Sequence, residues 1–211
     1  MDNIFNVLEQ STILHIKGAF TKEECEIACK QILAYKDSQP INKDVNANDN
    51  CWRGRPQHHG GFTNEVGSMI IKRIADGTRS YLNSLPVPSN IRRQDTSHYD
   101  TSDLTFSAWC NVNEKGGENR EHSHAGSLMS GCAYFQSTGT GAIEYMPANL
   151  LYRATHEAWP YHGIARYEPE DGDLILFPSY LLHKVLPNPI ERQRINMAFN
   201  VNFKIAEDPV A

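Results

Sequence analysis

Three histidines give the clearest indication of chemistry in this sequence. His122 and His124 stand two positions apart in NREHSHAGSLMSGCAYF, and His183 ends the run GDLILFPSYLLH. On an extended chain, residues i and i+2 point to the same side. Two imidazoles on one face, joined by a third from a distant strand, can bind a transition-metal ion. The spacing therefore predicts a metal site formed by His122, His124 and His183.

An arginine eleven residues after the third histidine adds a second element to this site. Arg194 begins the strand pattern RINMAFNVNF and shares its polar face with Asn196 and Ala198. A buried guanidinium is costly unless an anion meets it, and Glu191 is the acidic residue close by in sequence. We expect Arg194 to bind the carboxylate of a molecule held at the metal. The competing interpretation places the arginine cluster on the surface of a turn.

Other polar residues lie near the histidines in the pattern. Ser130 and Tyr134 share parity on the strand that follows His124, and Asn111 lies on the strand before it. Each is a candidate for contacting a bound cosubstrate or a metal-binding histidine. Ordinary barrel packing is the alternative for all three.

The elements that would position these residues change character along the chain. TILHIK predicts a strand, and Thr21 with Glu24 forms a capping box for a helix ending at about Tyr35. A second helix is predicted at 64–85, with a shorter helix ending before Asp76 as the alternative. From about residue 105 five strands are predicted: TFSAWCNV, LMSGCAYFQ, GAIEYM, GDLILF and RINMAFNVNF. The expected fold is mainly β, a double-stranded β-helix (jelly roll, cupin-like) buttressed by N-terminal helices.

A polar stretch between the two helices, residues 36–63, has the length of a functional loop. It contains Trp52, Arg53 and Arg55, and we interpret it as a lid or substrate loop. Together with Arg153, Trp159 and Tyr161 these residues suggest an aromatic, partly cationic entrance for a small polar or acidic molecule. A surface loop with incidental residues is the alternative.

Composition narrows the class of protein. The 211 residues predict a single domain, with 1–104 as helical support and substrate loops and 105–211 as the jelly-roll core. The net charge of −5 argues against nucleic acid and anionic membranes as partners, and no apolar run is long enough for a membrane span. The N-terminus lacks the pattern of a signal peptide, and five cysteines without a pairing pattern predict a reducing compartment, the cytoplasm. A small-molecule substrate is expected, and a homodimer is left open.

Several of these segments together resemble the Fe(II)- and 2-oxoglutarate-dependent oxygenases, in particular a small bacterial and phage group of 2OG-Fe(II) oxygenases. The similarity lies in WCNV before the histidine pair, SGCAY after it, FPS-x3-H-x-V, and the segment RQRINMAFN. It covers about the C-terminal half of the chain. The combination of FPS-x3-H-x-V with R-I-x-x-A-F-N is fairly specific.

The resemblance implies a barrel that holds Fe(II) at one end and uses 2-oxoglutarate and O2 as cosubstrates. It assigns the far carboxylate of 2-oxoglutarate to Arg194, with Asn196 where relatives often carry serine. The implied activity is hydroxylation of a small polar molecule, with release of succinate and CO2.

One departure from the superfamily leaves alternatives open. The usual triad is two histidines and a carboxylate, whereas His124 occupies the carboxylate position here. An alternative register starts at His124 and puts Gly126 in that position, as in related halogenases; Glu118 or Glu121 could also supply an oxygen. The other readings of the whole chain are a cupin-like metalloprotein that does not use 2-oxoglutarate, and a non-catalytic binding barrel.

Overall fold

A curled antiparallel sheet flanked by two helices forms the architecture. The computed structural model describes residues 3–8, 11–39, 48–54, 62–84, 104–146 and 164–203. In chain order the elements are β1 (Asn3–Leu8), β2 (Ser11–Ile16), α1 (Lys22–Ser38), β3 (Asn48–Gly54), α2 (Asn64–Ser84), β4 (Leu104–His122), β5 (Met129–Gln136), β6 (Ile143–Tyr145), β7 (Ala165–Tyr167), β8 (Leu174–Pro178), β9 (His183–Val185) and β10 (Arg194–Phe203).

The sheet curls into a half-barrel because one long strand belongs to both of its halves. The strand order is β1-β2-β8-β5-β10-β4-β9-β6-β7, with β3 also paired to β4. The first part of β4 pairs with β10, and its last part pairs with β9. The predicted fold class, a mainly β jelly roll supported by N-terminal helices, is confirmed.

Strand β10 separates the core from the cavity, as its alternating sequence predicts. One face carries Ile195, Met197, Phe199 and Val201, which are buried in a cluster shared with both helices. The opposite face carries Asn196 and Ala198, which line a cavity inside the curl of the sheet. Burying the first face against the helices thus turns the second towards the cavity.

Helix α1 begins where its sequence predicts. The Thr21 side chain accepts from the backbone N–H of Glu24 at 3.2 Å, and Glu24 accepts from the backbone N–H of Thr21 at 2.8 Å. This reciprocal capping box satisfies two donors that a helix start leaves open. Glu24 also pairs with Arg73 of α2, so the cap connects the two helices.

Helix α2 runs through the glycine at which the alternative prediction ended it, so that alternative is wrong. A Cβ on Gly77 would lie 2.8 Å from Leu174 Cδ2 and 3.2 Å from Leu176 Cδ1. The glycine therefore lets the helix approach β8 closely. It is a packing residue and does not terminate the helix.

The polar stretch 36–63 was predicted as a loop, and this is wrong for part of it. Residues Asn48–Gly54 form β3, which pairs antiparallel with β4. Trp52 packs against the main core, and its ring meets Tyr35 of α1 edge-on with centroids 5.9 Å apart. Its neighbour in the same strand, Arg53, lies on the other face.

Two smaller predictions can also be compared with the structure. All five cysteines are free, and burial raises the pKa of Cys25 and of Cys29 to about 12, so these thiols act as packing groups. Within the described residues, neither helix combines the length and the apolar character required to span a bilayer.

Candidate metal centre

The structure brings the three predicted histidines together. His122 ends β4, His183 begins β9, and the two are direct partners in the strand register. The rings of His122 and His183 have centroids 4.3 Å apart, and His124 lies 5.0 and 5.1 Å from them. One nitrogen from each ring lies within 4.8 Å of the other two. The three nitrogens are thus close enough together to be candidate ligands of one metal ion.

Backbone contacts orient two of the rings. His122 Nδ1 lies 2.6 Å from the carbonyl of Arg120, and His183 Nδ1 lies 2.9 Å from the carbonyl of Leu181. A carbonyl only accepts, so each Nδ1 carries the proton and each Nε2 presents its lone pair. The backbone N–H of His124 donates to Ser179 at 2.8 Å and fixes the turn that carries this residue.

The environment keeps the imidazoles neutral. Burial, together with the nearby His122, lowers the pKa of His183 to about 3. Burial also lowers the pKa of His124 to about 4, with contributions from His122 and Arg53. The pKa of His122 is lowered by burial as well. All three rings are therefore unprotonated near neutral pH, which is the form that binds metals.

The cluster contains no carboxylate among the described residues, since the group that could hold a metal ion there consists of the three histidines. Glu121 is exposed, and Gly126 lies in a turn with φ +94° and no atom near the position of a Cβ. His122 lies together with His124 and His183. This is the arrangement expected if His124 takes the position of the carboxylate in the usual triad.

A cavity extends from the histidines along the inner face of the sheet. Its lining comprises Trp109, Asn111, Asn119, His122, His124, Gly131, Cys132, Tyr134, Ile143, Phe177, His183, Val185, Asn196 and Ala198. Asn111 Nδ2 donates to Asn196 Oδ1 at 2.9 Å across the β4–β10 pair, while Asn111 Oδ1 is buried with no hydrogen-bond partner. An unsatisfied buried acceptor on a cavity wall is a place for a ligand or water to donate.

Ser130 lies outside this lining, although it shares parity with Tyr134. Its hydroxyl donates to Asn200 Oδ1 at 2.8 Å. Ser130 and Asn200 are direct partners in the β5–β10 register and follow the pair Cys132 and Ala198, which still lines the cavity. The pairing of these two polar side chains accounts for the residue, and the cavity ends before it.

Arg194 lies deep in the protein, with 1% of its surface exposed. Nη1 donates to the carbonyls of Thr140 and Leu186 at 2.8 and 3.2 Å, and Nη2 donates to the carbonyl of Gly117 at 3.1 Å. Nε is buried with no partner. A guanidinium has five N–H donors, so Nε–H and one N–H of Nη2 are not used by these hydrogen bonds. Nε–H and an N–H of Nη2 are donors with which an arginine can bind a carboxylate through two hydrogen bonds.

The surface-turn interpretation fits Arg192 and does not fit Arg194. Arg192 is exposed and pairs with Asp171, while Glu191 pairs with Lys115 at 2.7 Å. Arg194 lies on the same face of β10 as Asn196, beyond the residues that form the cavity wall. Burial lowers the pKa of the Arg194 guanidinium, and the electrostatic effect of the nearby Tyr134 partly offsets this shift.

The predicted entrance residues divide into two groups. Arg53 lies over the ring of Trp109, with its Cζ 4.5 Å from the ring centroid, whereas Trp52 faces the core. Arg55, Arg153, Trp159 and Tyr161 lie outside the described residues.

Trp109 is a cavity residue that the sequence reasoning did not single out. It precedes Asn111 by two positions on β4, and its ring lies 5.4 Å from that of His124. Since Asn111 was a candidate, the alternation of side chains along a strand would have pointed to Trp109 on the same face.

Comparisons with known proteins agree with this geometry. Residues 107–200 match the model of a family described as "Putative 2OG-Fe(II) oxygenase". No curated protein matches the sequence. Among solved structures, a Pseudomonas putida prolyl-4-hydroxylase is similar with a TM-score of 0.60 at 12% identity, over 92% of this chain and 93% of that one.

Two further structures extend the comparison. The α-ketoglutarate-dependent epimerase SnoN from nogalamycin biosynthesis has a TM-score of 0.62 at 11% identity, over 94% of this chain and 86% of that one. HygX from Streptomyces hygroscopicus, solved with nickel and 2-oxoglutarate, has a TM-score of 0.61 at 13% identity, over 93% and 85%. At such identities the likeness concerns the fold. The family resemblance seen in the sequence is thus confirmed: residues 107–200 match the 2OG-Fe(II) oxygenase family, and the chain has the jelly-roll fold of these oxygenases.

Proposed function

We propose that the protein is an Fe(II)- and 2-oxoglutarate-dependent oxygenase that hydroxylates a small polar molecule and releases succinate and CO2. The observation that carries the proposal is the histidine cluster, with three nitrogens within 4.8 Å of one another at the end of a cavity. The family match at residues 107–200 and the fold support it.

The donor set fits a divalent iron ion. Neutral imidazole nitrogens bind first-row transition metals well, and the carbonyls of Arg120 and Leu181 hold two of the rings with Nε2 presented. Such outer contacts are worth roughly 10–100-fold in metal affinity in other sites. When bound together, the metal and 2-oxoglutarate supply the activation of O2, with one oxygen atom entering the substrate and the other entering succinate.

The residues around Arg194 fit the far carboxylate of 2-oxoglutarate. Arg194 keeps two adjacent donors, and its charge has no carboxylate partner among the hydrogen bonds it makes in the described structure. Asn111, Asn196 and Tyr134 line the cavity between this position and the histidines. Their proposed role is to shape the cosubstrate pocket. The free Oδ1 of Asn111 only accepts, so it suits a donor such as water and not an oxygen of 2-oxoglutarate.

Apolar side chains complete the wall next to the histidines. Phe177 packs against His183 with centroids 4.8 Å apart, and Ile143 and Val185 line the same cavity. They shield the buried His183 side of the cluster from water, which strengthens electrostatic contacts there.

The test is anaerobic titration of the metal-free protein with Fe(II), followed by 2-oxoglutarate, recorded as visible absorption. We expect a weak charge-transfer band that needs both components. In Arg194→Lys the band should require roughly tenfold or more 2-oxoglutarate, because lysine keeps the charge and loses the fork. Arg192→Lys, two residues away on the surface, is the matched control and should titrate like the native protein. Succinate release on adding O2 then checks turnover.

A metal-binding barrel that does not use 2-oxoglutarate is the second candidate. It is favoured by the three backbone carbonyls that already bind Arg194, since they give this arginine a structural role. In that case one metal ion binds tightly, no band forms with 2-oxoglutarate, and Arg194→Lys and Arg192→Lys behave alike. That set of results would exclude the oxygenase.

A further inference from the structure

Asn113 on β4 carries a buried amide group that makes no hydrogen bond within the described part of the chain. The residue is 0% exposed, and neither its Nδ2 nor its Oδ1 has a partner. Two other buried asparagines differ from it, since Asn111 and Asn188 each donate through Nδ2. Buried side-chain amides are nearly always hydrogen-bonded. Two unpaired atoms on one buried side chain therefore point to a ligand.

The strand register places this amide beside Arg194. Asn113 and Arg194 are direct partners in the β4–β10 pairing, and Asn111 and Asn196 are the pair that lines the cavity. Alternate residues of a strand share a face, and so do directly opposed residues of neighbouring strands. Asn113 and Arg194 thus form the next polar pair on the cavity face, beyond the wall that the two other asparagines form.

A contact with Gly117 brings the two side chains closer together. A Cβ atom on Gly117 would lie 3.0 Å from the Cβ of Asn113, and the carbonyl of Gly117 accepts from Arg194 Nη2 at 3.1 Å. The side chain of Asn113 therefore starts next to a residue that holds the guanidinium. Because Arg194 Nε is also buried without a partner, unpaired donors belong to both members of this pair.

The charge at this position favours an anion. Cys51 on β3 is the other strand partner of Asn113. Burial raises the pKa of Cys51 to about 12, although the charge of Arg194 opposes this shift, so the thiol is neutral at neutral pH. The described hydrogen bonds of Arg194 all go to uncharged carbonyls. One positive charge next to an amide donor suits a carboxylate.

We propose that Asn113 is a second residue of the carboxylate site of Arg194, and that its Nδ2 donates to the far carboxylate of 2-oxoglutarate. Oδ1 only accepts, so Nδ2 is the atom that meets a carboxylate. This rests on the proposed function, because 2-oxoglutarate is taken to be the cosubstrate. An amide buried without a partner destabilises the folded chain, and the bound carboxylate offsets that cost.

The test compares the native protein with Asn113→Leu, in which an apolar side chain of the same branching replaces the amide. Fe(II) is titrated alone under anaerobic conditions, and 2-oxoglutarate is then titrated against the charge-transfer band. We expect Fe(II) to bind as it does to the native protein. Half-formation of the band should need roughly tenfold or more 2-oxoglutarate, because a hydrogen bond to a charged group is lost.

Asn113→Asp is the second variant, and it keeps the shape of the side chain. The new carboxylate lies beside Arg194, so it pairs with the guanidinium and repels the carboxylate of 2-oxoglutarate. We expect the 2-oxoglutarate requirement to exceed that of Asn113→Leu, with Fe(II) binding again unchanged. This variant tests the proposal independently of how well leucine fits the site.

Asn200→Leu is the matched control, because Oδ1 of this half-buried β10 asparagine already accepts from Ser130. It should need the same 2-oxoglutarate concentration as the native protein. A native-like 2-oxoglutarate titration in Asn113→Asp would overturn the proposal, and so would Fe(II) binding that weakens in step with 2-oxoglutarate binding in both variants. If the native protein itself shows no band with Fe(II) and 2-oxoglutarate, the proposed function fails instead, so the two failures are distinguishable.

Discussion

At the scale of single residues, the proposed metal centre differs from the usual triad of the superfamily in having an imidazole, His124, in the place of the carboxylate. Three neutral ligands leave the charge of a divalent ion uncompensated, whereas a carboxylate would reduce it by one. The affinity of the site then depends on how well three rings are held, and His183 is the most enclosed of them, with 3% of its surface exposed. Its contacts with Phe177 and with the Leu181 carbonyl hold the ring in place.

Replacing His183 by alanine should therefore remove metal binding while the fold persists. We expect a loss in affinity well above the roughly 10–100-fold caused by changes in outer contacts, since a ligand itself is lost. Metal content after dialysis and the melting temperature of the metal-free protein measure the two effects. Lys184→Ala, the next residue on β9 with a partly exposed side chain paired to Glu144, is the control and should keep the metal. Full iron-dependent turnover in His183→Ala would disprove the ligand assignment.

The residue pattern predicted the members of the site better than their contacts. The i, i+2 rule brought His122 and His124 together, and it put Arg194 on the face of Asn196, because strand geometry is local. The three carbonyls around Arg194 and the Ser130–Asn200 pair come from segments far apart in sequence. No local pattern encodes such contacts, so they could not be predicted.

At the scale of elements, strands with an alternating apolar face were predictable and polar strands were not. β10 alternates cleanly, while β3 has the sequence NDNCWRG and owes its conformation to hydrogen bonds with β4. The continuation of β4 through Gly116 and Gly117 to His122 was missed for the same reason. Tertiary pairing overrides weak local preference in both cases.

Helix α2 offers a test of packing against helix propensity. Gly77→Ala gains up to about 1 kcal/mol of propensity, but its Cβ meets Leu174, Leu176 and Ile16 at 2.8 to 3.3 Å in a closed core. Overpacking costs about 1–3 kcal/mol, so we expect a net loss of about 1 kcal/mol in the free energy of unfolding. Urea titration measures it.

Gly67→Ala is the matched control on the same helix. The nearest atom to its added Cβ is Phe62 Cβ at 3.9 Å, so nothing opposes the gain in propensity. We expect this variant to equal or exceed the native protein in stability. If both alanine variants shift the midpoint in the same direction, the close approach of α2 to β8 is not tight enough to require glycine.

At the scale of the whole molecule, the helices and the cavity occupy opposite faces of the curled sheet. Two aspartates, the exposed Asp171 and the buried Asp173, hold the turn before β8. Asp173 accepts from His15 Nε2 at 2.8 Å and from the backbone N–H groups of Gly18 and Glu170, which ties β2 to β8. Asp171 accepts from the backbone of Ser137 and Thr138, and it pairs with Arg192. The sequence showed Gly172-Asp173 as a turn, whereas these long-range partners emerge only from the fold.

These contacts predict how stability changes with pH. Burial raises the pKa of Asp171, but the hydrogen bonds from Arg192, Thr138 and Ser137 outweigh burial and lower it from 3.8 to about 2. The unfolded chain therefore takes up a proton before the folded one does as pH falls. The stabilisation is complete above about pH 4 and is lost between about pH 4 and pH 2. Because the Asp171 side chain is 37% exposed, solvent screening leaves about 1 kcal/mol of it.

Asp171→Asn should show this directly in urea titrations of the metal-free protein at a series of pH values. The variant is expected to be less stable than the native protein by about 1 kcal/mol at neutral pH, and the gap should close as pH falls from about 4 towards 2. Asp76→Asn, which removes an exposed carboxylate paired with Arg79 on α2, serves as the control. A gap of constant size across this range would mean that the loss in Asp171→Asn comes from its packing and hydrogen-bond geometry. In that case the carboxylate charge would not be what ties the turn before β8 to Arg192 and to the backbone of Ser137 and Thr138.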